Sequence, residues 1–284
     1  MSHQSSAARP KTVRDLLGVR RNRGRVDLTA MDPSQTDGLK RDEAGGRMLD
    51  DEGRIMALQE CLYAERKRSV LIVLQGMDTS GKDGTVRHAL RGLNPQGVRI
   101  VSFKTPTPAE LRHDFLWRVR RQLPRPGGIV IFNRSHYEDV LIAKVRELAL
   151  PRVIDGRYGL INRFEAGVAS SGTAIVKLFL HISAKEQRGR LLARLRDPDK
   201  RWKFSQSDVS ERPYWDDYQA AYATAMRRCS TAVAPWYVIP ANRKWYRNWA
   251  VSQLLIETME GMKLTYPRPD LDLRELKSRI KAVA

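Results

Sequence analysis

The sequence predicts an α/β fold in which helices cover both faces of a parallel β-sheet. Short apolar segments at 70–74, 129–132 and 174–180 lack polar alternation, which is typical of strands buried in parallel sheets. Segments with helical spacing of apolar residues separate these strands, and such alternation favours parallel pairing. A chain of 284 residues, 42% of them hydrophobic, can also bury a sizeable core.

The predicted elements follow one another along the chain. Apolar runs predict strands at 70–74, 98–103, 129–132, 174–180 and 236–239. Helical spacing predicts helices at 48–68, 86–94, 109–122, 141–148, 162–170, 184–196, 209–226 and 245–262. Prolines mark two boundaries, because Pro95 ends one helix and Pro108 precedes another.

The predicted domain organisation has three parts. Residues 1–45 lack periodicity and are expected to form a basic, irregular extension without a core. Residues 46–265 form the α/β domain, in which two helices around a basic loop make a helical lid at about 185–225. Residues 266–284 form a charged tail. The Arg-rich residues 1–25 are either a basic arm on the surface or, by composition, an organellar transit segment.

Composition limits the partners and the location. A formal net charge of +19 implies a polyanionic partner: a nucleic acid, a membrane surface or another phosphate polymer. No run approaches the roughly 20 apolar residues of a membrane span, and no secretory signal is recognisable. Cys61 and Cys229 lie far apart, as expected of reduced thiols. We therefore expect a cytoplasmic protein with no membrane partner.

The segment GMDTSGKDG at 76–84 has the arrangement of a phosphate-binding loop. It follows an apolar strand and opens a helical segment, as in G-x-x-x-x-G-K-[ST] loops, where backbone N–H groups and a lysine hold phosphate oxygens. The candidate phosphate-binding residues here are Gly76, Thr79, Ser80, Gly81, Lys82, Asp83 and Gly84.

Two carboxylates distinguish this loop from the usual pattern. Asp83 replaces the hydroxyl residue, and Asp78 lies inside the loop. Two anions beside a bound phosphate would repel it unless a cation lies between them. Mg²⁺ held by a carboxylate is the simplest such cation.

A second polar segment follows the strand at 129–132. Asn133, Arg134, Glu138 and Asp139 come just after its carboxyl end, where open α/β sheets bind ligands, so we expect them beside the glycine loop. Either acid could instead stabilise the N-terminus of the next helix. His136 is expected to be a hydrogen-bonded structural residue.

Basic residues of two other segments are candidates for binding the substrates. The lid candidates are Arg194, Lys200, Arg201, Lys203 and Arg212, with the strongest expectation for Arg201 and Lys203 because their loop also carries an aromatic residue. Arg118, in the predicted helix 109–122, either lines a nucleotide pocket or lies on an exposed helix face.

Taken together, the motifs resemble those of the family-2 polyphosphate kinases. The resemblance covers about residues 45–265 and is carried by GMDTSGKDG, IFNRSHYEDV, DPDKRWKF and PANRKWYRNW. It implies a P-loop kinase-like fold akin to thymidylate kinase, and Mg²⁺-dependent phosphoryl transfer between inorganic polyphosphate and nucleotides. The wording NRSHYEDV resembles that of the subgroup which accepts both AMP and ADP.

The resemblance also implies roles for individual residues. Asp78, Lys82 and Arg134 match the catalytic positions, and Arg201 and Lys203 match lid positions that meet polyphosphate. Asn133 stands where the members specialised for nucleoside diphosphates have aspartate, so metal binding at this strand end would pass to Glu138 or Asp139. We expect Asp78 and Asp139 to be the metal ligands.

The expected function is therefore a polyphosphate-dependent nucleotide kinase. A terminal oxygen of AMP or ADP would attack the end phosphorus of polyphosphate in line. The alternatives are an ATP-dependent nucleoside monophosphate kinase and a nucleic-acid-binding P-loop module. The latter is disfavoured because no nucleic-acid-binding signature is present. We expect a homo-oligomer, dimer or tetramer, and adenine nucleotides as acceptors. Guanine acceptors, the preference between AMP and ADP, and the direction of net transfer are left open.

Overall fold

The computed structural model describes residues 12–19 and 26–282 and contains a five-stranded parallel sheet with strand order β2-β3-β1-β4-β5. The strands are β1 (Ser69–Gln75), β2 (Val98–Ser102), β3 (Ile129–Asn133), β4 (Thr173–His181) and β5 (Trp236–Pro240). All neighbouring pairs are parallel, which confirms the predicted fold class. The five predicted strands match these to within a few residues.

The helices fill the connections between the strands. Within the described residues they are α1 (Val13–Leu17), α2 (Arg41–Glu65), α3 (Lys82–Ala89), α4 (Trp117–Arg120), α5 (Ile142–Val145), α6 (Pro151–Ser170), α7 (Ala184–Arg196), α8 (Ser207–Ser210), α9 (Trp215–Cys229), α10 (Lys244–Gly261) and α11 (Leu273–Ala282). None of these helices is both long and apolar enough to cross a bilayer.

Alternating side chains of the central strand build two cores. Val70, Ile72 and Leu74 pack against α2, α3 and α10 on one face of the sheet. Leu71 and Val73 face the other side, where α6 and α9 cover them. Because every residue of β1 is buried, its carboxyl end holds the following loop rigidly.

Two predicted helices are interrupted for identifiable reasons. In place of one helix at 109–122, a 3₁₀ turn (Glu110–Arg112) precedes the short α4. Asp114 accepts a hydrogen bond from the backbone N–H of Leu116 at 3.0 Å, which competes with a continuous helix. The predicted helix 209–226 is divided into α8, a 3₁₀ turn and α9, because Pro213 cannot donate to the helical ladder.

The N-terminal extension contributes to the core, so the expectation that it would not is wrong for its described part. Val13, Leu17 and Leu28 are buried. The carboxylate of Glu257 in α10 accepts hydrogen bonds from the backbone N–H groups of Val13 (2.8 Å) and Arg14 (3.0 Å). α2 also begins at Arg41, before the predicted start. Most of the segment considered as a transit sequence, residues 1–11 and 20–25, lies outside the described residues.

The tail contains a helix that the sequence analysis did not predict. α11 has no buried residue, and its apolar side chains Leu273 and Ile280 are exposed.

Candidate active site

The register of the sheet brings two of the predicted motifs together. β1 and β3 are adjacent and parallel, with Leu74 opposite Asn133. The backbone N–H of Arg134 donates to the Leu74 carbonyl at 3.0 Å, so the glycine loop and the segment 133–139 leave the sheet side by side. This confirms the expected placement at the carboxyl ends of the strands.

The glycine loop is tightly packed from behind. A Cβ at Gly76 (φ 155°) would lie 2.7 Å from Ser80 Oγ and 2.9 Å from the Leu180 carbonyl oxygen. A Cβ at Gly81 (φ 103°) would lie 1.9 Å from a guanidinium nitrogen of Arg247. Both positions therefore require glycine.

The hydroxyl groups of the loop are buried without partners. Among the described residues, Thr79 Oγ1 and Ser80 Oγ are buried and make no hydrogen bond. Thr79 also has a left-handed backbone (φ 62°), a conformation that costs energy for a β-branched residue. Unpaired polar atoms in a strained loop indicate a ligand-binding segment.

Lys82, the first residue of α3, folds back over the loop. Its Nζ donates to the carbonyl oxygens of Gly76 (2.8 Å) and Met77 (3.3 Å). Burial lowers the pKa of Lys82, while the nearby Asp78 carboxylate opposes that change. The ammonium group is thus held over the loop where a phosphate would bind.

Arg134 connects the loop to the neighbouring strand end. Its Nη2 donates to Asp78 Oδ1 at 2.9 Å, and its Nη1 lies 3.9 Å from Glu138 Oε2. Its backbone is left-handed (φ 63°), which is strained for a non-glycine residue. Burial favours neutral Arg134, but Glu138 and Asp78 raise its pKa overall, so the guanidinium stays charged.

Glu138, rather than Asp139, is the second carboxylate of this site. Burial raises the pKa of Glu138 against the opposing effects of Arg134 and Lys82, and Asp78 is also close enough to raise it. The charged groups that act on Asp139 are Arg157, 3.8 Å away, Arg118 and His136. Of the two neighbouring acids, Glu138 is therefore the one that interacts with Arg134, Lys82 and Asp78, whereas Asp139, predicted as a metal ligand, interacts with Arg157. Glu138 and Asp139 share one 3₁₀ turn, and the Glu138 carboxylate is the one that approaches Arg134.

The two residues that depart from the usual motifs, Asn133 and Asp83, contact each other across the site. Asn133 donates from Nδ2 to Asp83 Oδ1 at 2.9 Å. Lys203 Nζ lies 3.9 Å from Asp83 Oδ2, which links the lid loop to the first turn of α3. Gly84 follows Asp83 in α3, and a Cβ there would lie 3.1 Å from the Arg247 guanidinium.

The lid residues divide into supporting and exposed groups. Arg194 donates to the Lys203 carbonyl (3.0 Å) and to Asp208 (3.1 Å), which holds the lid loop together. Lys200 pairs with Asp197, and Arg201 donates from Nε to the Leu195 carbonyl at 2.8 Å while its side chain remains exposed. Lys203 lies over the ring of Trp202, which is 77% exposed.

Arg212 contacts the site through Gln187. It donates to Gln187 Oε1 at 3.3 Å, and Gln187 Nε2 donates to the Asp78 carbonyl oxygen at 3.3 Å. Arg118 does not lie on an exposed helix face. It is buried, donates to the Lys104 carbonyl at 2.8 Å and lies over the ring of Phe103, so the exposed-face alternative is wrong.

Two arginines of the site were not predicted. Arg190 donates to the carbonyl oxygens of Thr79 (2.9 Å) and Ser80 (3.1 Å) and, with its other nitrogen, to that of Ala241 (2.6 Å). Arg247 is buried against the glycine loop, and burial, with a contribution from Arg190, lowers its pKa to about 10. The only signals in the sequence were the arginine content of 184–196 and the motif PANRKWYRNW.

His136 is structural, as predicted. It is fully buried, and its Nε2 lies 3.2 Å from Glu165 Oε1. Lys177 Nζ donates to the other oxygen of Glu165 at 2.5 Å and to Tyr137 Oη at 2.8 Å. This buried network fixes the turn from which Arg134 and Glu138 project.

The arrangement is suited to binding and transferring phosphoryl groups. Lys82, Arg134, Arg190 and Arg247 surround a glycine loop that opens a helix, and a helix N-terminus favours anions. Fixed cations and N–H donors stabilise the charge that develops in phosphoryl transfer. The fold and the site define a phosphotransferase of the P-loop kinase type.

Comparison with known proteins identifies the family. The family model described as Polyphosphate kinase 2 (PPK2) matches residues 38–267. The chain is 51% identical over 253 residues to the AMP/ADP-polyphosphate phosphotransferase of Meiothermus ruber, covering 87% of this chain and 93% of that protein. It is 47% identical over 226 residues to the ADP-polyphosphate phosphotransferase of Rhodopseudomonas palustris, covering 75% and 78%.

A solved structure agrees with this identification. The crystal structure of Polyphosphate Kinase 2 from Arthrobacter aurescens TC1 superposes with a TM-score of 0.92 at 41% identity, covering 96% of this chain and 97% of that one. The chain therefore belongs to the polyphosphate kinase 2 family, and it is a transferase.

Proposed function

We propose that this protein transfers a phosphoryl group between inorganic polyphosphate and AMP or ADP. The observation that carries the proposal is the Asp78–Arg134 pair at 2.9 Å beside Lys82 on the glycine loop. The relatives named above support the choice of substrates, since one is named for AMP and ADP and the other for ADP. We propose adenine nucleotides as acceptors.

The reaction is an in-line displacement. A terminal oxygen of the nucleotide phosphate attacks the end phosphorus of polyphosphate, a new P–O bond forms, and the bond to the next bridging oxygen breaks. The shortened polyphosphate leaves with that electron pair. Lys82 and Arg134 offset the negative charge of the transferring group, and Asp78 orients Arg134. A general base contributes little because the attacking phosphate is already largely ionised at neutral pH.

The residues present fit a bound Mg²⁺. Among the described residues no group of three potential ligands is found, but Mg²⁺ in phosphate-transfer sites takes only one or two carboxylates and completes its shell with phosphate oxygens and water. Asp78 and Glu138 supply such a pair at the edge of the loop. When bound there, Mg²⁺ would neutralise phosphate charge between the donor and the acceptor.

We propose that the exposed cations of the lid hold the polyphosphate chain. Arg201 and Lys203 lie on the loop between α7 and α8, and Lys203 approaches Asp83. Lys200 would add charge to the same loop. In this proposal Arg194, Arg212 and Arg118 do not contact the substrates. Each is bonded to a protein group and thereby helps to shape the site. Asn133 would keep Asp83 oriented, and Gly76, Thr79, Ser80 and Gly84 would shape the phosphate cradle.

We also propose the domain bounds, the cellular location and the oligomeric state of the enzyme. The catalytic domain would extend over about 46–265 with the lid at about 185–225, and the described part of 1–45 packs against this domain. A cytoplasmic location is supported by the free thiols of Cys61 and Cys229. We also propose that the enzyme is a homo-oligomer, either a dimer or a tetramer.

The deciding experiment compares phosphoryl donors. Purified protein with Mg²⁺ is given either polyphosphate or ATP as sole donor, and formation of ADP from AMP and of ATP from ADP is followed. We expect products with polyphosphate for both acceptors. Transfer from ATP alone, or no product from polyphosphate, would contradict the proposal.

A matched pair of variants shows that the measured activity belongs to this site. Lys82→Met removes the loop ammonium and should lower turnover by about 10²-fold or more. Lys144→Met removes an exposed lysine of α5 and should leave turnover unchanged.

A further inference from the structure

Two carbonyl groups of the glycine loop are held by a side chain from the lid. Nη1 of Arg190, in α7, donates to the carbonyl oxygens of Thr79 (2.9 Å) and Ser80 (3.1 Å). Thr79 has a left-handed backbone (φ 62°), and such a conformation persists only where surrounding contacts hold it. Arg190 is therefore one of the contacts that keep the loop in its strained shape.

The other N–H groups of Arg190 are also bonded to protein. Nη2 donates to the carbonyl oxygens of Ala241 (2.6 Å) and Asn242 (3.1 Å), and Nε donates to Glu186 Oε1 at 2.7 Å. A guanidinium has five N–H groups, and the two loop carbonyls with these three acceptors use all of them. The side chain is also only 11% exposed. Arg190 therefore acts on a bound phosphate only through the position of the loop.

Asn242 lies in the turn between β5 and α10 and fixes this turn to the start of α7. Its Oδ1 accepts a hydrogen bond from the backbone N–H of Ser183 at 3.0 Å. Ser183 is the N-cap of α7, since its Oγ accepts from the Glu186 N–H at 3.1 Å. Arg190 lies seven residues further along the chain, or about two helical turns. The Asn242 side chain therefore helps to set where the Arg190 guanidinium reaches.

A segment that precedes the predicted domain holds Asn242 in place. Asn242 donates from Nδ2 to Ser34 Oγ at 2.9 Å, and its backbone N–H donates to the Pro33 carbonyl at 3.0 Å. Arg243, the next residue, donates from Nε to the Ser34 carbonyl at 3.1 Å. Both ends of the Asn242 amide are thus bonded, one to the start of α7 and the other to residues 33–34.

We infer that Asn242 is a positioning residue for the glycine loop, which it holds in shape through Arg190. The contacts lead from the Asn242 amide to the start of α7, and from the Arg190 guanidinium to the carbonyl groups of Thr79 and Ser80. The effect of Asn242 on turnover rests on the proposed function. Phosphoryl transfer depends on close placement of the reacting phosphates, so a loop without this support should transfer them more slowly.

Hydrogen exchange measures the support of the loop in the absence of substrates. In Asn242→Ala, the backbone N–H groups of residues 76–84 should exchange several-fold faster than in the parent protein, because the loop opens more often. Equal exchange in the two proteins would overturn the inference.

Asn162→Ala is the matched control for this measurement. Asn162 Nδ2 donates to the Arg228 carbonyl at 2.9 Å, between α6 and α9, and both asparagines are partly buried. This control also loses a hydrogen bond between an asparagine and the backbone, but it should leave exchange in residues 76–84 unchanged. Equally fast exchange in Asn162→Ala and Asn242→Ala would mean that general destabilisation is the cause, and would overturn the inference.

Asn242→Asp is the conservative variant. It keeps an oxygen that accepts from the Ser183 N–H, and the Ser34 hydroxyl can donate to its other oxygen. Exchange in residues 76–84 should therefore remain near that of the parent. Exchange as fast as in Asn242→Ala would mean that these two bonds do not support the loop.

Kinetics show whether Asn242 acts through Arg190. With polyphosphate and ADP, Asn242→Ala should lower kcat/KM by about tenfold or more, whereas Asn162→Ala should leave it unchanged. Arg190→Ala already removes the contact with the loop, so adding Asn242→Ala to it should cause little further loss. Losses that multiply in the double variant would overturn the inference. All variants are compared at a temperature where circular dichroism shows them folded.

The inference and the proposed function can fail separately. A parent protein that is inactive with polyphosphate would contradict the proposed function, and the exchange measurement would still test Asn242. An active parent whose loop exchange is the same in Asn242→Ala would contradict only the inference about Asn242.

Discussion

Asn133 donates a hydrogen bond from Nδ2 to Asp83 Oδ1 at 2.9 Å, across the gap between β3 and α3. Each of these residues departs from the usual pattern of its motif, and the structure shows that the two departures are complementary. An amide can donate to the carboxylate, whereas a second carboxylate at this distance would repel it. The pair thus limits how much negative charge this edge of the site carries.

The first prediction concerns this pair. Asn133→Asp places two carboxylates in contact, and they repel each other unless a cation lies between them. We expect the Mg²⁺ concentration for half-maximal activity to rise several-fold, as measured in a Mg²⁺ titration at fixed polyphosphate. Asn133→Ala, which removes the amide without adding charge, is the control. Identical titration curves for the two variants would show that the added charge has no effect.

The second prediction concerns the exposed arginine of the lid. Removing one charge-assisted bond to a phosphate chain costs about 1.5 kcal/mol or more, which corresponds to about tenfold in affinity. Arg201→Ala should therefore raise the half-saturating polyphosphate concentration by about tenfold, with a smaller effect on the acceptor. Arg227→Ala removes an exposed arginine at the far end of α9 and should change neither value. If both variants behave alike, polyphosphate binds elsewhere.

The third prediction concerns the pH dependence set by Glu138. Burial raises the pKa of this carboxyl group above its ordinary value of 4.5, so it takes up a proton earlier than other acids as pH falls. Because ionised Glu138 faces Arg134 and Lys82, kcat/KM should fall on the acid side with an apparent pKa above 4.5. In Glu138→Gln this acid limb should be absent. Glu147→Gln, which changes an exposed acid, is the control and should keep this acid limb.

Glu138→Gln should affect the stability of the fold in the opposite direction to its effect on activity. A raised pKa in the folded state means that protonated Glu138 stabilises the fold below pH 4.5 and that this stabilisation is lost as pH rises through the folded-state pKa. Glu138→Gln should therefore have a higher Tm than the parent at pH 7. A lower Tm at that pH would mean that the ionised group stabilises the site.

The fourth prediction concerns the buried ion pair. Lys177 and Glu165 are essentially inaccessible to solvent, and their charged atoms are 2.5 Å apart. Burial alone would raise the pKa of Glu165, but Lys177 and His136 hold it below its ordinary value. Lys177→Met leaves the carboxylate without its partner and should cost about 3–5 kcal/mol in urea unfolding.

The double variant shows whether that cost comes from the stranded charge. Lys177→Met with Glu165→Leu removes both charges and should recover much of the lost stability. If the double variant is as unstable as the single one, the loss is due to packing rather than to charge.

Residues whose roles are set by their own motif could be predicted from the sequence. Lys82 and Arg134 occupy the expected places because a strand end and a helix start fix them locally. Arg190 and Arg247 could not be assigned, because their roles depend on α7 and α10 packing behind a loop more than a hundred residues earlier. The five strands were also predictable from local sequence, because buried parallel strands have a distinctive composition.

Adjacent residues in tight turns were the harder problem. Glu138 and Asp139 have similar chemistry, and only the rotation of one 3₁₀ turn decides which faces the loop. Arg118 lies in a segment whose apolar spacing predicts a continuous helix, but the hydrogen bond to Asp114 interrupts that helix. The Arg118 side chain then bonds to the Lys104 carbonyl. In both cases contacts between segments decide the outcome, and no local pattern encodes them.

The contact between Gly81 and Arg247 makes two distant positions dependent on each other. Any side chain at 81 would collide with the guanidinium, and a guanidinium at 247 fits only while 81 has none. A side chain at 81 could be accommodated only if the Arg247 guanidinium moved away, so one contact sets how closely α10 approaches the phosphate cradle.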